Sequence, residues 1–383
     1  MKLLIDGNAF LNVPTNVVMY KLEKDSKFDE PILRVDDKSY LKDGTKSYYR
    51  NFMLKYLTGI LAPLKFYIDE IIFVFDSKSW RKLYLKKMFD AMPDDDGFVY
   101  KGNRKMDDKK KDLFLFFNYF TDEILPDLIN VDGISTISVM GAEGDDLLAI
   151  LCDELPNDDI AIWTVDQDMK QLVEYDNRFV IVIGPKSRKT EKKPVYVHNS
   201  IDDNVVDLMN VDVDNKGLKG MVDFLERDRE FDIISVEPGE YVLGQIMMGQ
   251  RKDNIPSIYT KQGTTGKDIN ITEKKVEKIL DKFDTDTFYK CFTHYIDTNN
   301  QDFLDNVIKG TLDLEKIKNT DDNYTDVYKL IRSNFELNSK LIRLESSKLP
   351  ERLVYMIKHK FSLLDRVSTF NYGEYLKVAY PEG

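Results

Sequence analysis

Cysteine is nearly absent from these 383 residues. Cys152 and Cys291 stand far apart with no CxxC spacing, which excludes a disulfide framework and a thiolate zinc site. Histidine is as scarce, and His198, His294 and His359 never come close enough in sequence to form a metal pair. Any metal centre must therefore be built from oxygen ligands, which select hard cations such as magnesium, manganese or calcium. No apolar stretch approaches the roughly 18 residues that a membrane-spanning helix requires. The opening "MKLLIDGNAF" has an apolar part too short for the core of a signal peptide, so a cytoplasmic protein with no membrane partner is expected. Tandem repeats and low-complexity tracts are also missing, and the length suits two or three packed units at roughly 100–200 residues each.

Positive charge is in deficit too, the formal net charge being −12, which taken alone argues against a polyanionic partner. Its distribution argues the other way. Between Lys78 and Lys111 eleven lysines and arginines face six aspartates, a local surplus of five positive charges. Standing alone, such a stretch reads as a solvated face.

What the chain does have is alternation. The runs "KLLI" (2–5), "IIFVF" (71–75), "ISTISV" (134–139), "IAIWTV" (160–165) and "FVIVI" (179–183) are unbroken enough to be strands buried on both faces. Between them "YYRNFMLKYLTGIL", "KDLFLFFNYFTDEIL" and "DDLLAILCDEL" have helical spacing. This order predicts an α/β fold, a mainly parallel sheet with right-handed crossovers and helices on both faces.

Each of the first four strands then delivers carboxylates at or just beyond its C-terminal end: Asp6, Asp76, the group Glu143, Asp145 and Asp146, and the pair Asp166 and Asp168. Ligands of open parallel sheets bind outside those strand ends. Any one of these acids reads equally well as a helix cap, "EGDD" above all. Four strand ends in succession do not, because converging like charges repel unless they share protons or cations neutralise them. Such a cluster is a site for hard divalent ions, most economically two. The basic segment starts directly after Asp76, so Lys/Arg side chains leave the sheet at the rim of the expected metal crevice, and Tyr100 beside Lys101 offers a face for a base to stack on. Metal ions to polarise a phosphate, with cations to hold its neighbours, make a nuclease.

The same residues resemble a family. "FDSKSWRK…YKGNR", "AEGDD", "TVDQD" and "MGQRKDNIPSI" are similar to the ordered motifs of the 5′-nuclease superfamily, the flap endonucleases and 5′-to-3′ exonucleases, and within it to the phage members typified by the RNase H of the T-even phages. The likeness runs through residues 1 to about 280, and "LNSKLIRLESSKLPERL" resembles the C-terminal helices of the phage proteins. It implies a catalytic α/β domain over 1–240 with a helical arch near 77–111, then a helical duplex-binding domain over 241–383 with a helix-two-turn-helix motif. By this resemblance Asp6, Asp76, Glu143 and Asp145 hold chiefly one Mg²⁺ or Mn²⁺, with Asp146, Asp166, Asp168 and Asp253 around a second. Arg81, Lys101 and Arg104 match the catalytic basic positions of the arch, while Tyr100, Lys78, Lys105, Gly249 and Asn254 fall at nucleic-acid contacts. The implied reaction is in-line hydrolysis leaving a 5′-phosphate, on 5′ flaps, forked or nicked duplexes and RNA–DNA hybrids, by a monomer that removes primers and flaps in replication. A single-stranded-DNA-binding protein or a sliding clamp is the partner such an enzyme meets, and the Asp-, Asn- and Tyr-rich region after about 285 is either a docking platform or a longer helical cap.

Three departures stand out. The acidic "LKKMFDAMPDDDGF" is inserted between Arg81 and Lys101. Gln250 stands where many relatives have an aspartate, the one feature that favours the alternative of a catalytically weakened protein that binds branched DNA. The polar "IPSIYTKQGTTGKDINITEKKVEKIL" replaces a glycine-rich turn, which argues against a potassium ion there. "GTTGK" inside it is not a phosphate loop, since Lys261 occupies the first glycine position and Asp268 follows Lys267. "RFVIVIGPKSRKTEKKPVYVHN" reads as two strands joined by a basic loop. A phosphatase of small substrates is a third reading, and it leaves the arch and the duplex-binding region without purpose.

Overall fold

The computed structural model describes residues 1–24, 31–36, 38–90, 100–101, 107–175, 179–185, 192–199, 231–262, 268–280, 321–367 and 369–381. The chain forms two compact units, one of Met1–Ser79, Lys105–Val236 and Glu345–Gly383, the other of Trp80–Arg104 and Glu237–Leu344.

The first unit is built on an eight-stranded sheet. Its strands are β1 (Lys2–Asp6), β4 (Glu70–Val74), β5 (Ile134–Ile137), β6 (Ile160–Trp163), β7 (Glu174–Tyr175), β8 (Phe179–Ile183), β9 (Lys193–His198) and β10 (Phe231–Val236); β2 (Ile32–Val35) and β3 (Lys38–Leu41) form a separate hairpin. The order is β10-β9-β8-β6-β1-β4-β5, with β7 paired to β8. β1 runs parallel between β4 and β6, and β5 and β8 extend this parallel set. β7 and β9 lie antiparallel to β8 because the chain connecting each of them to it is too short for a crossover helix.

The Val/Ile/Phe runs are continuous because both faces are covered. Leu3, Ile5, Ile71 and Phe73 share one core with α1 (Gly7–Lys24), α2 (Asp43–Leu61) and α4 (Asp108–Tyr119). The alternate residues Leu4, Ile72 and Val74, equally buried, point to the opposite face, where α6 (Gly144–Glu154) packs on β1 and β4. The single amphipathic stretch expected over 111–125 is a rod of three parts: α4 passes through a π-turn (Phe120–Ile124) into α5 (Leu125–Ile129).

The C-terminal residues return to this unit. α10 (Glu351–Ser362) packs on α6 and α11 (Tyr372–Ala379) on α2. Between them Arg366 donates from Nε and Nη2 to the two oxygens of the buried Glu70 at 2.6 and 2.7 Å, and Phe370 N donates to Asp69 O at 2.7 Å.

The second unit contains α3 (Trp80–Asp90), α7 (Pro238–Met248), α8 (Glu273–Leu280), α9 (Asp321–Ile342) and the antiparallel pair β11 (Thr260–Gln262) and β12 (Asp268–Asn270). Leu243, Ile246 and Met247 of α7 meet Ile331, Phe335 and Leu341 of α9 in its core. α7 has proline in its first turn and stops at Gly249, whose φ of 71° suits a residue without Cβ. Among the described residues, no helix is long and apolar enough to cross a membrane.

Candidate active site

Strand order makes β1 the switch point of the sheet. After β1 the chain builds β4 and β5 on one side, then crosses through α6 to build β6 and β8 on the other, so a crevice opens at the carboxyl end of β1. Asp6 is the last residue of β1, Asp76 and Asp166 follow β4 and β6 closely, and Glu143 is the N-cap of α6.

On one side of Asp6 the acids gather around the start of α6. One ligand oxygen each from Glu143, Asp145 and Asp146 lies within 4.8 Å of the others, an arrangement that can hold a metal ion. Asp146 Oδ2 accepts from Glu143 N at 3.1 Å, and Asp145 Oδ1 accepts from Asp146 N at 3.0 Å. Gly144 N donates to Asp76 Oδ1, so a fourth carboxylate docks on the same helix end. The N–H groups that donate to these carboxylates and the dipole of α6 offset part of this charge. A Cβ on Gly144 would stand 2.7 Å from that Asp76 oxygen, so a glycine is what lets the Asp76 carboxylate approach so closely.

On the other side, Thr164 ties two acids together, a part its position in "WTVDQD" did not suggest. Its hydroxyl donates to Asp6 Oδ2 at 2.7 Å and accepts from Asp166 N at 3.0 Å. Asp166 then caps a short 3-10 helix (Gln167–Leu172), accepting from Asp168 N at 3.0 Å. Burial, reinforced by the charges of Asp76 and Asp166, pushes the Asp6 carboxyl up to about 6, against the lowering effect of the Ala9 N–H and the Thr164 hydroxyl. The groups brought together are all carboxylates, and Asp6 resists ionising among them. This donor set fits a hard divalent cation.

Asp253 belongs to the second unit and lies in a tight turn after α7. Gln250 and Ile255 exchange both backbone hydrogen bonds at 2.9 Å, Asn254 takes the left-handed conformation (φ 61°), and Asp253 is buried between them. Asn338 of α9 locks the turn, donating to Ile246 O at 2.9 Å and Pro256 O at 2.8 Å. Lys101 N donates to Asp253 O at 2.9 Å, which joins two candidates far apart in sequence. A 3-10 turn (Arg251–Asp253) and the β11–β12 ribbon stand between α7 and α8, where the family resemblance implies two turns.

Two basic-segment expectations change. Arg81, expected to face a phosphate, is 1% exposed: its Nε donates to Leu341 O at 3.0 Å and its guanidinium lies over the Trp80 ring, because the first turn of α3 packs against the end of α9. Tyr100, expected to offer a stacking face, is 3% exposed in the apolar core of its unit, with the Lys101 ammonium 4.9 Å from its ring centroid. Lys78 is exposed. Arg104, Lys105 and the acidic insertion Asp94–Asp96 lie outside the described residues.

This mainly parallel sheet, with carboxylates at its switch point, has a fold shared with solved structures. Comparison with solved structures places the chain beside the flap endonuclease of bacteriophage T5 in a pseudo-enzyme-product complex with DNA and metal ions, with a TM-score of 0.50, 13% sequence identity and coverage of 94% of this chain and 98% of that one. The same T5 protein co-crystallised with metal ions matches with the same TM-score, identity and coverage. At the level of sequence, no family model and no curated protein matches.

Proposed function

We propose that the protein is a divalent-metal-dependent 5′-nuclease that hydrolyses phosphodiester bonds in 5′ flaps, forked or nicked duplexes and RNA–DNA hybrids. The observation that carries this reading is the convergence of acids from four separate strand ends on one switch point, with Asp6 held against ionisation by burial and, to a lesser degree, by the charges of Asp76 and Asp166. The T5 structure in complex with DNA and metal ions supports it through the shared fold. Asp76, Glu143, Asp145 and Asp146 around the start of α6 serve one ion, and Asp6, Asp166 and Asp168 extend the site toward a second, with Mg²⁺ or Mn²⁺ as the hard cation. When bound, such ions polarise the scissile phosphate and lower the pKa of the attacking water. The chain's own part is to hold the carboxylates in place: Gly144 admits Asp76, Thr164 aligns Asp6 with Asp166, and the N-terminus of α6 tempers their mutual repulsion. Lys78, Lys101 and Arg104 hold flanking phosphates.

The finer reading is a phage enzyme of the T-even RNase H kind, monomeric and cytoplasmic, that clears primers and flaps during replication and meets a single-stranded-DNA-binding protein or a sliding clamp. The test is release from a 5′-labelled flap and from an RNA–DNA hybrid, with and without Mg²⁺, for wild type and Asp166→Ala. Wild type should cut only with the metal and the variant should not cut. Absence of cleavage in every divalent metal would overturn the nuclease reading, and normal cleavage by Asp166→Ala would overturn the site.

A further inference from the structure

The first unit contains a second cavity that the nuclease reading does not use. About 520 Å³ in volume, it lies on the α1–α2 face of the sheet and is walled by the rings of Phe52, Tyr56, Trp163 and Phe231. This volume is that of a small-molecule site. In a chain of net charge −12, three lysines border the cavity (Lys21, Lys55 and Lys193), and no acid is among its described lining residues. Two of these ammoniums lie over aromatic walls, Lys21 at 4.9 Å from the Phe52 ring centroid and Lys193 at 5.3 Å from that of Phe231.

One further feature marks the cavity as built. Gly59 lies inside α2, where glycine weakens a helix relative to alanine, yet a Cβ there would meet nothing within 4 Å. Packing of the helix therefore does not require the glycine. What its missing side chain leaves open is the cavity.

We infer that this cavity binds a nucleoside monophosphate, its base against the half-buried rings of Phe52 and Tyr56, its phosphate on the lysines. A planar aromatic body suits an aromatic wall, and a phosphate dianion suits a rim of ammoniums better than one carboxylate would. The inference rests on the cavity alone and holds whether or not the metal centre cuts nucleic acid.

The chain has two tryptophans, so Trp80→Phe leaves Trp163 in the cavity wall as the sole indole reporter. Deoxyadenosine 5′-monophosphate is titrated into this full-length variant in chelator, so that the carboxylate centre contributes no metal-dependent binding. Saturable quenching is expected with a dissociation constant below about 1 mM. Deoxyadenosine without its phosphate, and the double variant Lys21→Glu/Lys55→Glu, should bind at least about tenfold more weakly, a loss of about 1.4 kcal/mol. Gly59→Leu fills the cavity while improving the helix, and should abolish the signal without unfolding the protein. No saturation by the nucleotide, or unchanged binding in Gly59→Leu, would overturn the inference. So would tight binding of laurate that the nucleotide does not displace, which would assign the cavity to a lipid anion.

Discussion

Replacing Asp6 with asparagine should stabilise the metal-free protein at neutral pH and do so less in acid. The folded chain holds the Asp6 proton with a value of about 6 against an ordinary 3.8, so it binds this proton more tightly than the unfolded chain does. The stabilising contribution is therefore complete below about pH 4, falls as the pH rises through about 6, and is gone above it, a loss of up to about 3 kcal/mol. About 2 kcal/mol of that falls between about pH 4.5 and about pH 8. Asparagine never ionises. It retains an oxygen for the Ala9 N–H but spoils the hydrogen bond from Thr164, at a cost of about 1 kcal/mol that is the same at both pH values. The measurement is urea unfolding in chelator at the two pH values, reading the stability of Asp6→Asn minus that of wild type. That difference should rise by about 2 kcal/mol toward the higher pH. Saturating Mg²⁺ should restore wild type, whose carboxylate it neutralises, far more than the variant. A difference that stays level with pH would refute the claim that Asp6 is held against ionisation.

Gly144→Ala should leave stability nearly unchanged but weaken metal-dependent cleavage at least about tenfold, because its Cβ displaces the Asp76 carboxylate; the Mg²⁺ dependence of the cutting rate reads this, and an unchanged dependence would remove Asp76 from the site. Gly249→Ala should destabilise the second unit by about 2 kcal/mol or more, since its Cβ would stand 2.3 Å from Pro256 O in a backbone with φ 71°. Denaturant unfolding followed by hydrogen exchange in α7 and α9 checks it. Arg366→Ala should cost about 2 to 3 kcal/mol by leaving the buried Glu70 with Lys2, 3.4 Å away, as its remaining cationic partner among the described residues, and should raise hydrogen exchange across α10 and α11. Unaltered exchange there would mean that other contacts hold the C-terminal segment.

The strands and the acids were legible in the sequence because both signals are local. A strand buried on both faces must be apolar without interruption, so "IIFVF" and "FVIVI" read directly as β4 and β8, and the acids follow such runs by a few residues. What each acid touches was not local. Thr164 joins Asp6 to Asp166 only because β6 pairs with β1, two strands more than 150 residues apart in the chain. Nor did a lysine-rich stretch reveal that Arg81 and Tyr100 face inward, since the partners that bury them come from α9 and α7, far along the sequence. The return of residues 345–383 to the first unit carries no sequence signature either, because a surface arginine and the Arg366 that clasps Glu70 look the same in a string of letters.

By itself, then, the sequence determined the chemistry available to this protein: oxygen ligands only, carboxylates after successive strands, and cations beside them, because residue type and spacing settle which groups exist and which strand end they follow. The tertiary structure decided which of those groups meet. Strand order put β1 between β4 and β6, Gly144 gave Asp76 room at the start of α6, and burial among like charges set the protonation of Asp6, since proximity and desolvation depend on neighbours that are remote along the chain.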